Sequence, residues 1–494
     1  MYKKWSTLYI IIFMYLPISI DATVLHVAIP SLATELNATG EQLLWIIDIY
    51  SLVMAGLIIP MGILCDHVGF KRLLLLGGWV FALASLISAL SCSVGTLLVS
   101  RIILALGAAM ILPATLAALR YTFSDENERN VALGIWSSVG TIGMIVGPLL
   151  GGWLMEHFYW GAVFIINVPL LFVVLLFAVF MLPSQPIIPQ KSWHIKPTLI
   201  LISSILTMIY TLKNLLSAEP NYHKLFLSAL FSGGMLYWFI QLQKHALFPM
   251  FDVKMLIKKE IIAGSVIALT TMIVLVGFEL LITQELQFSL GMSPLDAGLF
   301  LLPLMISCGV SGPIIGKLAA YFELRSIATT GFILSGVSLF MLAMTDISQQ
   351  YYLVCLEMII LGFSMEASML ASTAAIMGAV SKEQSGSAGA LEGMAYELGS
   401  GLGVTFFGSM LLSLYSASLI VPEGIPYELA KQARLSIGET VQTLKYISHQ
   451  EGEALMVAAR NAFSFAHVNV LAFSGAILIL LSVFVGWLMP RRIK

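Results

Sequence analysis

Charged residues are scarce in this chain. Asp, Glu, Lys and Arg together make up 11% of its 494 residues, whereas 59% of the residues are hydrophobic. Soluble domains carry about 25% charged residues, so this composition argues strongly against a soluble fold. The formal net charge of −2 gives no sign of a nucleic-acid partner, and we expect none.

Cysteines are few and catalytic signatures are missing. Cys65, Cys92, Cys308 and Cys355 lie in or beside different apolar runs without CxxC spacing, so we expect neither a structural metal nor a disulfide framework. The sequence contains no HExxH or GxSxG motif and no paired aspartates at catalytic spacing. An intramembrane enzyme is therefore disfavoured, and we expect no catalytic residues and no cofactor.

Long apolar runs fill most of the chain. Windows of about 20 apolar residues, the length that crosses a bilayer as an α-helix, recur about fourteen times. Short alternating segments of the kind that build a membrane β-barrel are not seen. The sequence therefore predicts an all-α, multi-pass membrane protein embedded in the lipid bilayer. The approximate spans are 7–30, 43–64, 72–93, 96–118, 131–153, 160–182, 195–215, 222–243, 260–284, 295–317, 325–345, 350–376, 386–415 and 465–488.

The basic residues indicate the orientation of these spans. With the N-terminus placed in the cytoplasm, Lys and Arg on the inner side outnumber those on the outer side by roughly three to one, the usual bias of membrane proteins. Lys213 is counted with the outer residues. We therefore predict an even number of spans with both termini in the cytoplasm.

Three charged residues lie within spans of the first half. Asp21 is near the middle of the first span, Asp48 is in the outer part of the second, and Arg101 is in the outer part of the fourth. An ionisable group near the centre of a bilayer helix costs at least about 2.5–3.5 kcal/mol. Each of these residues should therefore have a partner or a task.

Asp21 is the foremost candidate for a site, because only His26 lies near enough in sequence to neutralise it. A desolvated carboxyl group suits the uptake and release of protons. The same carboxylate attracts organic cations, so competition between a proton and a cation would couple their movements. The alternative is a static ion pair, for example with Arg101.

Asp48 lies between two aromatic residues, Trp45 and Tyr50. A carboxylate beside aromatic faces can hold a lipophilic cation through charge and cation–π contact together. We therefore predict that these three residues contact the substrate. The alternative is an interfacial Trp/Tyr belt around a hydrated aspartate, since the outer end of the span is close.

Acidic residues also occur in the second half. Glu392, Tyr396 and Glu397 lie in the thirteenth span, where the two glutamates are about 140° apart around the helix and need not face one cavity. Glu279 and Glu357 lie in outer portions of spans, where a hydrated structural role is at least as plausible as a functional one. Further acidic side chains in the spans would favour cationic substrates, and one of them is Glu366.

A glycine-rich run stands out in the fifth span, where residues 140–152 read GTIGMIVGPLLGG. Glycine and proline are poor helix formers. Between membrane helices, however, small residues allow the backbones to approach closely. The run therefore predicts a helix that packs tightly and bends. Its members include Gly143, Gly147, Pro148, Gly151 and Gly152.

Several motifs together resemble the major facilitator superfamily. The match covers nearly the whole chain and is closest to the fourteen-helix drug:proton antiporters, in particular those that export quaternary ammonium compounds and methyl viologen. The matching segments are the loop GILCDHVGFKR at 62–72, the span-five run at 140–152, Arg101 with Gly107 and Pro113, DATVLHVAIP at 21–30, WIIDIYSL at 45–52, and SPLDAG at 293–298 with Pro303.

The resemblance implies a function and assigns roles. It implies a monomer that uses the proton gradient to export lipophilic cations, including quaternary ammonium compounds, biguanides, dyes and methyl viologen. Proton coupling would fall on Asp21 and Arg101. Cation recognition would fall on Asp21, Trp45, Asp48, Tyr50, Glu392, Tyr396 and Glu397. Gating would fall on Gly62, Asp66, Gly69, Lys71 and Arg72 in the loop and on Gly143, Gly147, Pro148, Gly151 and Gly152 in the fifth span.

The resemblance also implies an architecture of two bundles. We expect a six-helix bundle at 1–182, a linker with two extra transmembrane helices at 183–258, and a second six-helix bundle at 259–494. The second bundle includes a polar insert at 416–464, which we interpret as an extracytoplasmic hairpin or cap. The alternative is a solvated spacer without a role in transport.

Two other functions are disfavoured by the charges. A transporter of neutral or anionic nutrients should have basic groups in its cavity that match the acids, yet only Arg101 is clearly within a span. A membrane scaffold or sensor would have little need of intramembrane acids or of a glycine-rich helix.

Overall fold

The computed structural model describes residues 2–183, 195–216, 220–246, 258–319, 321–380 and 385–489. These residues form helices joined by short connections, with no strand among them. The α-helices in chain order are α1 (Tyr2–Glu35), α2 (Gly40–Val68), α3 (Phe70–Ala89), α4 (Val94–Thr122), α5 (Glu126–His157), α6 (Ala162–Ile165), α7 (Asn167–Met181), α8 (Ile195–Leu216), α9 (Tyr222–His245), α10 (Lys259–Gln284), α11 (Pro294–Phe300), α12 (Leu302–Leu318), α13 (Leu324–Met344), α14 (Tyr351–Gly378), α15 (Ser385–Ser418), α16 (Tyr427–Ala433), α17 (Ile437–Thr443) and α18 (His449–Leu488).

The number of spans agrees with the sequence. Within the described residues, 13 segments are long and apolar enough to cross a membrane; α6 and α7 together form one of them, and α11 and α12 another. The 32-residue helix α5, which carries the glycine-rich run, is a further long helix. The prediction of an all-α membrane protein with about fourteen spans is confirmed. Most of the predicted linker at 183–196 lies outside the described residues.

The last helix is longer than its apolar run predicts. It begins at His449 rather than near residue 465, so the insert ends sixteen residues earlier than expected. Ser448 caps the helix, and Glu451 completes a capping box, because each side chain bonds the other's backbone N–H. The first turns of α18 are polar, so a search for long apolar runs places the start of this helix too late in the chain.

Two bundles meet along two seams. Helices α1 to α7 form one bundle, α10 to α15 and α18 form the other, and the seams join α2 to α15 and α5 to α11. Gly408 of α15 has the side chain of Leu44 against it, and a methyl group added to Gly152 of α5 would lie 2.6 Å from the backbone of Leu295. Both contacts lie toward the end of the bundles that carries the insert, hereafter the capped end.

The two extra helices pack on one side of the α2–α15 seam. Helix α8 contacts both α2 and α15. A methyl group added to Gly56 of α2 would lie 2.6 Å from Ile202 of α8, so the two helices approach closely. Helix α9 packs on α8, where Ser204 and Ser232 each donate a hydrogen bond to the other's carbonyl at 3.1 Å.

The insert is a packed element rather than a solvated spacer. Gln442 of α17 donates a hydrogen bond to the Ala33 carbonyl of α1 at 2.6 Å, and Thr440 of α17 bonds the Tyr415 hydroxyl of α15 at the same distance. Both threonines of α17, Thr440 and Thr443, are fully buried. The insert therefore connects the two bundles at the capped end.

Glu439 of α17 is the ionisable group at this contact. It is 4% exposed, and one of its carboxyl oxygens has no hydrogen-bond partner among the described residues. Burial raises the pKa of Glu439, and the backbone N–H of Gly40, at the start of α2, lowers it less. The stabilisation linked to this group is therefore complete below its ordinary pKa and is lost as the pH rises through the raised pKa.

We expect Glu439→Gln to stabilise the protein at about pH 8, because glutamine keeps an acceptor for Gly40 without a buried charge. The gain over the unmodified protein should shrink as the pH falls toward about 4.5, where the carboxyl group is itself protonated. Thermal unfolding in detergent across this range measures the effect, with the exposed Glu428 of α16, changed to Gln, as the matched control. A gain that does not depend on pH would contradict this assignment.

Candidate functional site

The centre of the first bundle is a buried ion pair. Nη1 of Arg101, on α4, lies 2.5 Å from Oδ2 of Asp21, on α1, and both side chains are almost fully buried. Arg101 also donates from Nε to the Ile46 carbonyl of α2 at 3.2 Å. Its guanidinium lies 4.5 Å from the centroid of the Tyr50 ring. One arginine therefore ties α1, α2 and α4 together, because each of its contacts compensates for the loss of water.

A static ion pair with Arg101 was the alternative to a functional role for Asp21, and the structure contains this ion pair. The pair engages only one oxygen of the carboxylate, because Oδ1 of Asp21 has no hydrogen-bond partner among the described residues. The Tyr50 hydroxyl is likewise buried without such a partner there. These two unpartnered oxygens can accept or donate a proton inside the bundle.

Glu397 approaches this cluster from the second bundle. Its carboxylate interacts electrostatically with Tyr50 and Tyr15, and Ser51 of α2 donates a hydrogen bond at 3.4 Å to Ser400, one helical turn further along α15. Tyr15 stacks on Trp136 of α5, with ring centroids 4.5 Å apart and planes 13° from parallel. An acid and a stacked aromatic pair therefore face each other from opposite bundles.

Asp48 belongs to a second, separate cluster. Its Oδ2 lies 2.8 Å from Nζ of Lys213 on α8 and accepts a hydrogen bond from Thr405 of α15 at 2.9 Å. The Lys213 ammonium also lies 3.8 Å from the centroid of the Trp45 ring. Asp48 and Lys213 are therefore both buried rather than exposed to solvent. Tyr50, predicted to work with Asp48, contacts Arg101 instead.

The second bundle holds acids without basic partners. Glu392 accepts hydrogen bonds from Thr373 of α14 and, at 2.6 Å, from Tyr396. Glu366 interacts electrostatically with the same tyrosine. Among the described residues, no ion pair is formed by Glu366, Glu392 or Glu397.

The two outer acids of the second half are buried. Glu279 of α10 is 4% exposed and lies 3.3 Å from Nδ1 of His26 on α1. Glu357 of α14 is 1% exposed and accepts a hydrogen bond from Thr345 at 2.8 Å. A hydrated role for either acid is therefore wrong, because neighbouring helices cover both. His26 pairs with the other bundle rather than with Asp21.

The glycine-rich run packs directly on α1. Ser19 lies against Gly143, Thr23 lies against Gly147, and a methyl group added to Gly151 would lie 2.7 Å from Val24. A methyl group added to Gly298 of α11 would lie 2.8 Å from the Pro148 carbonyl. The predicted close packing is confirmed, and the run sits where α1, α5 and the second bundle meet. Its role as a hinge or seal stays a prediction.

A single hydroxyl compensates for the proline in this run. In a regular helix the Met144 carbonyl accepts the N–H four residues later, which Pro148 lacks. Thr23 of α1 supplies a donor instead, at 3.1 Å from that carbonyl. Donors from a neighbouring helix are the usual way in which a membrane helix tolerates proline.

The loop motif caps a helix within the first bundle. Lys71 donates hydrogen bonds to the carbonyls of Val179 and Leu182, both at 2.8 Å, at the end of α7.

The other residues of the loop motif have different surroundings. Gly69 has a φ of 86°, which favours glycine, where α2 turns into α3. Arg72 is exposed. A methyl group added to Gly62 would lie 3.9 Å from Pro113 of α4. The side chain of Asp66 lies outside the described residues.

Sequence reasoning missed several members of both clusters. Lys213, Thr405, Tyr15 and Trp136 are brought to the acids by helices far apart in the chain. The position of Lys213 inside a predicted span was the one signal that could have identified a partner for an intramembrane acid.

The fold and the buried charges define a membrane transporter rather than an enzyme. The sequence matches the profile of the Major Facilitator Superfamily over residues 11–281 and 261–421, and the chain belongs to that superfamily. Among its relatives is the methyl viologen resistance protein SmvA of Salmonella typhimurium, 47% identical over 98% of both chains. Another is the multidrug efflux pump LfrA of Mycolicibacterium smegmatis, 32% identical over 93% of this chain and 91% of that protein.

Solved structures agree on the fold. A bacterial homologue of the human lysosomal transporter Spinster, in an inward-facing and occupied conformation, superimposes with a TM-score of 0.70. The alignment covers 97% of this chain and 95% of that one, at 16% sequence identity. At this identity the likeness concerns the fold alone.

We expect Thr23→Val to destabilise the protein by about 1–2 kcal/mol, because the Met144 carbonyl then has no donor from α1. Thermal unfolding in detergent measures the loss. The matched control is Thr34→Val on the same helix, since the Thr34 hydroxyl bonds only carbonyls of its own helix, those of Pro30 and Ser31. Equal destabilisation by both substitutions would refute the compensating role of Thr23.

Proposed function

We propose that the protein is a proton-coupled multidrug efflux antiporter. It exports lipophilic organic cations, namely quaternary ammonium compounds, cationic biguanides, dyes and methyl viologen, by alternating access. The names of the relatives SmvA and LfrA support efflux of drugs and resistance to a cationic compound. The proton gradient supplies the energy, and no cofactor takes part.

The observation that carries this proposal is the unequal pairing of five acids within the membrane spans. In the first bundle Asp21 and Asp48 each have a basic partner. In the second bundle Glu366, Glu392 and Glu397 have none among the described residues. A cavity between these bundles carries uncompensated negative charge, which favours cations over neutral or anionic substrates.

Asp21 is the proton-coupling acid in this mechanism. A proton that enters from outside and binds Asp21 removes the charge that Arg101 neutralises. The guanidinium, which already lies on Tyr50, is then held less tightly by Asp21, and its positive charge acts more strongly on Glu397. A cation held at Glu397 is repelled as a result, so protonation and release of the drug are linked.

The contacts at the capped end are the ones that must open for release. They comprise the α2–α15 and α5–α11 seams and the insert that bridges the bundles. We place this end outside the cell and both termini in the cytoplasm of a bacterium, in its inner membrane. The protein acts as a monomer, since each bundle contributes to the same site within one chain.

We expect Asp21→Asn to reduce proton-driven export to background, because asparagine cannot carry the transferred proton. Everted membrane vesicles loaded with a proton gradient and a fluorescent monovalent cation measure export directly. Asp346→Asn, in an exposed turn, is the matched control and should export normally. Full export by the Asp21 variant, at equal protein level in the membrane, would refute proton coupling through this residue.

A further inference from the structure

Lys213 is a buried charge that the transport mechanism leaves unused. It lies in the last turn of α8, one of the two helices added between the bundles. Its side chain is 4% exposed and that of Asp48 is fully buried. A lysine is rarely buried without a partner, so its surroundings must replace the water that it gave up.

The surroundings of the lysine present a carboxylate and an aromatic face to its ammonium group. The Asp48 carboxylate lies 2.8 Å from Nζ, and the face of Trp45 lies 3.8 Å from it. Trp45 and Asp48 are three residues apart on α2 and therefore share one face of that helix. Thr405, from the second bundle, holds the carboxylate in place with a hydrogen bond at 2.9 Å. Charge and an aromatic face together are what binds an organic ammonium ion.

The site is built between three helices and is not a chance surface contact. Helix α8 is held against α2 at Gly56 by Ile202 and against α15 by further apolar packing. The free oxygen of Asp48, Oδ1, has no hydrogen-bond partner among the described residues. Asp48 thus depends on Lys213 for its neutralisation.

This site adjoins the acid that faces the substrate. Ser51 follows Asp48 by three residues on α2, and its hydroxyl donates a hydrogen bond at 3.4 Å to Ser400, which follows Glu397 by three residues on α15. Asp48 and the part of α15 that carries Glu397 are therefore about one helical turn apart along α2, roughly 5 Å. With Lys213 in place, one of these two acids is neutralised and one is available to a cation.

We propose that Lys213 is a specificity-determining residue whose ammonium group occupies an ammonium site formed by Asp48 and Trp45. By filling this site, the lysine withholds a second negative charge from the substrate and favours monovalent over divalent cations. This inference rests on the proposed export of cations, and it gives α8 a function beyond packing.

The first test asks whether the site binds an ammonium ion once the lysine is removed. The atoms lost in Lys213→Ala correspond to n-propylammonium. We expect n-propylammonium chloride to raise the melting temperature of purified K213A in detergent above its value in sodium chloride of equal ionic strength. The unmodified protein, whose site is filled, should not respond. The double variant K213A/D48N, which lacks the carboxylate, should not respond either, and an equal response from it would overturn the proposal.

The second test measures selectivity. Lys213→Met keeps the volume of the side chain and removes its charge, so it serves even if K213A folds poorly. We expect K213M to raise the export of divalent methyl viologen relative to monovalent tetraphenylphosphonium by about fivefold or more, the low end of typical coupling between sites. Lys213→Arg, which keeps the charge, is the matched control and should retain the original ratio. An unchanged or lower ratio in K213M would overturn the proposal.

The two tests also separate this inference from the proposed function. If the unmodified protein exports neither cation on a proton gradient, the proposed function fails, while the response of K213A to n-propylammonium still decides whether the ammonium site exists. If the unmodified protein exports both cations and K213M keeps the same ratio, the role of Lys213 in specificity fails alone.

Discussion

The structure depends on one constraint, which is that a charged group inside a membrane protein must be paired or hydrogen-bonded where it lies. The Asp21–Arg101 pair meets this constraint by drawing α1, α2 and α4 onto a single guanidinium. The cost of separating such a pair in a medium of low dielectric constant is high. The same cost makes the pair sensitive to protonation, because a neutral Asp21 no longer holds Arg101 by charge. One interaction therefore holds three helices together and depends on the charge of Asp21.

The remaining buried charges follow from the same rule, but the two bundles satisfy it differently. The first bundle pairs its acids with bases, one of which, Lys213, comes from the added helix α8. The second bundle surrounds Glu392 with hydroxyl donors that stabilise the acid without cancelling its charge. His26 and Glu279 join the bundles directly. The asymmetry leaves negative charge on one side of the interface, where a cation can supply the missing partner.

Close packing provides the second condition for function. The glycines of α5 bring its backbone onto α1, and Thr23 satisfies the carbonyl that Pro148 leaves without a donor. The proline is therefore accommodated without leaving an unsatisfied backbone carbonyl in the membrane. At the same end of the molecule the insert packs α17 onto both bundles. The bundles can separate there only if the insert also moves.

The sequence by itself determined the features that depend on local composition. These are the number of spans, the intramembrane acids and the tight packing of the run at 140–152, because hydropathy, charge and residue size act within one helix. It did not determine the contacts between distant segments. Asp48 was expected to contact the substrate, with an aqueous interface as the alternative, and its contacts with Lys213 and Thr405 were not expected. Helix α18 begins at His449 rather than near residue 465. Only the tertiary structure decided the partners, placing Lys213 on Asp48 and Tyr50 on Arg101, because the burial of a charge depends on which helices surround it.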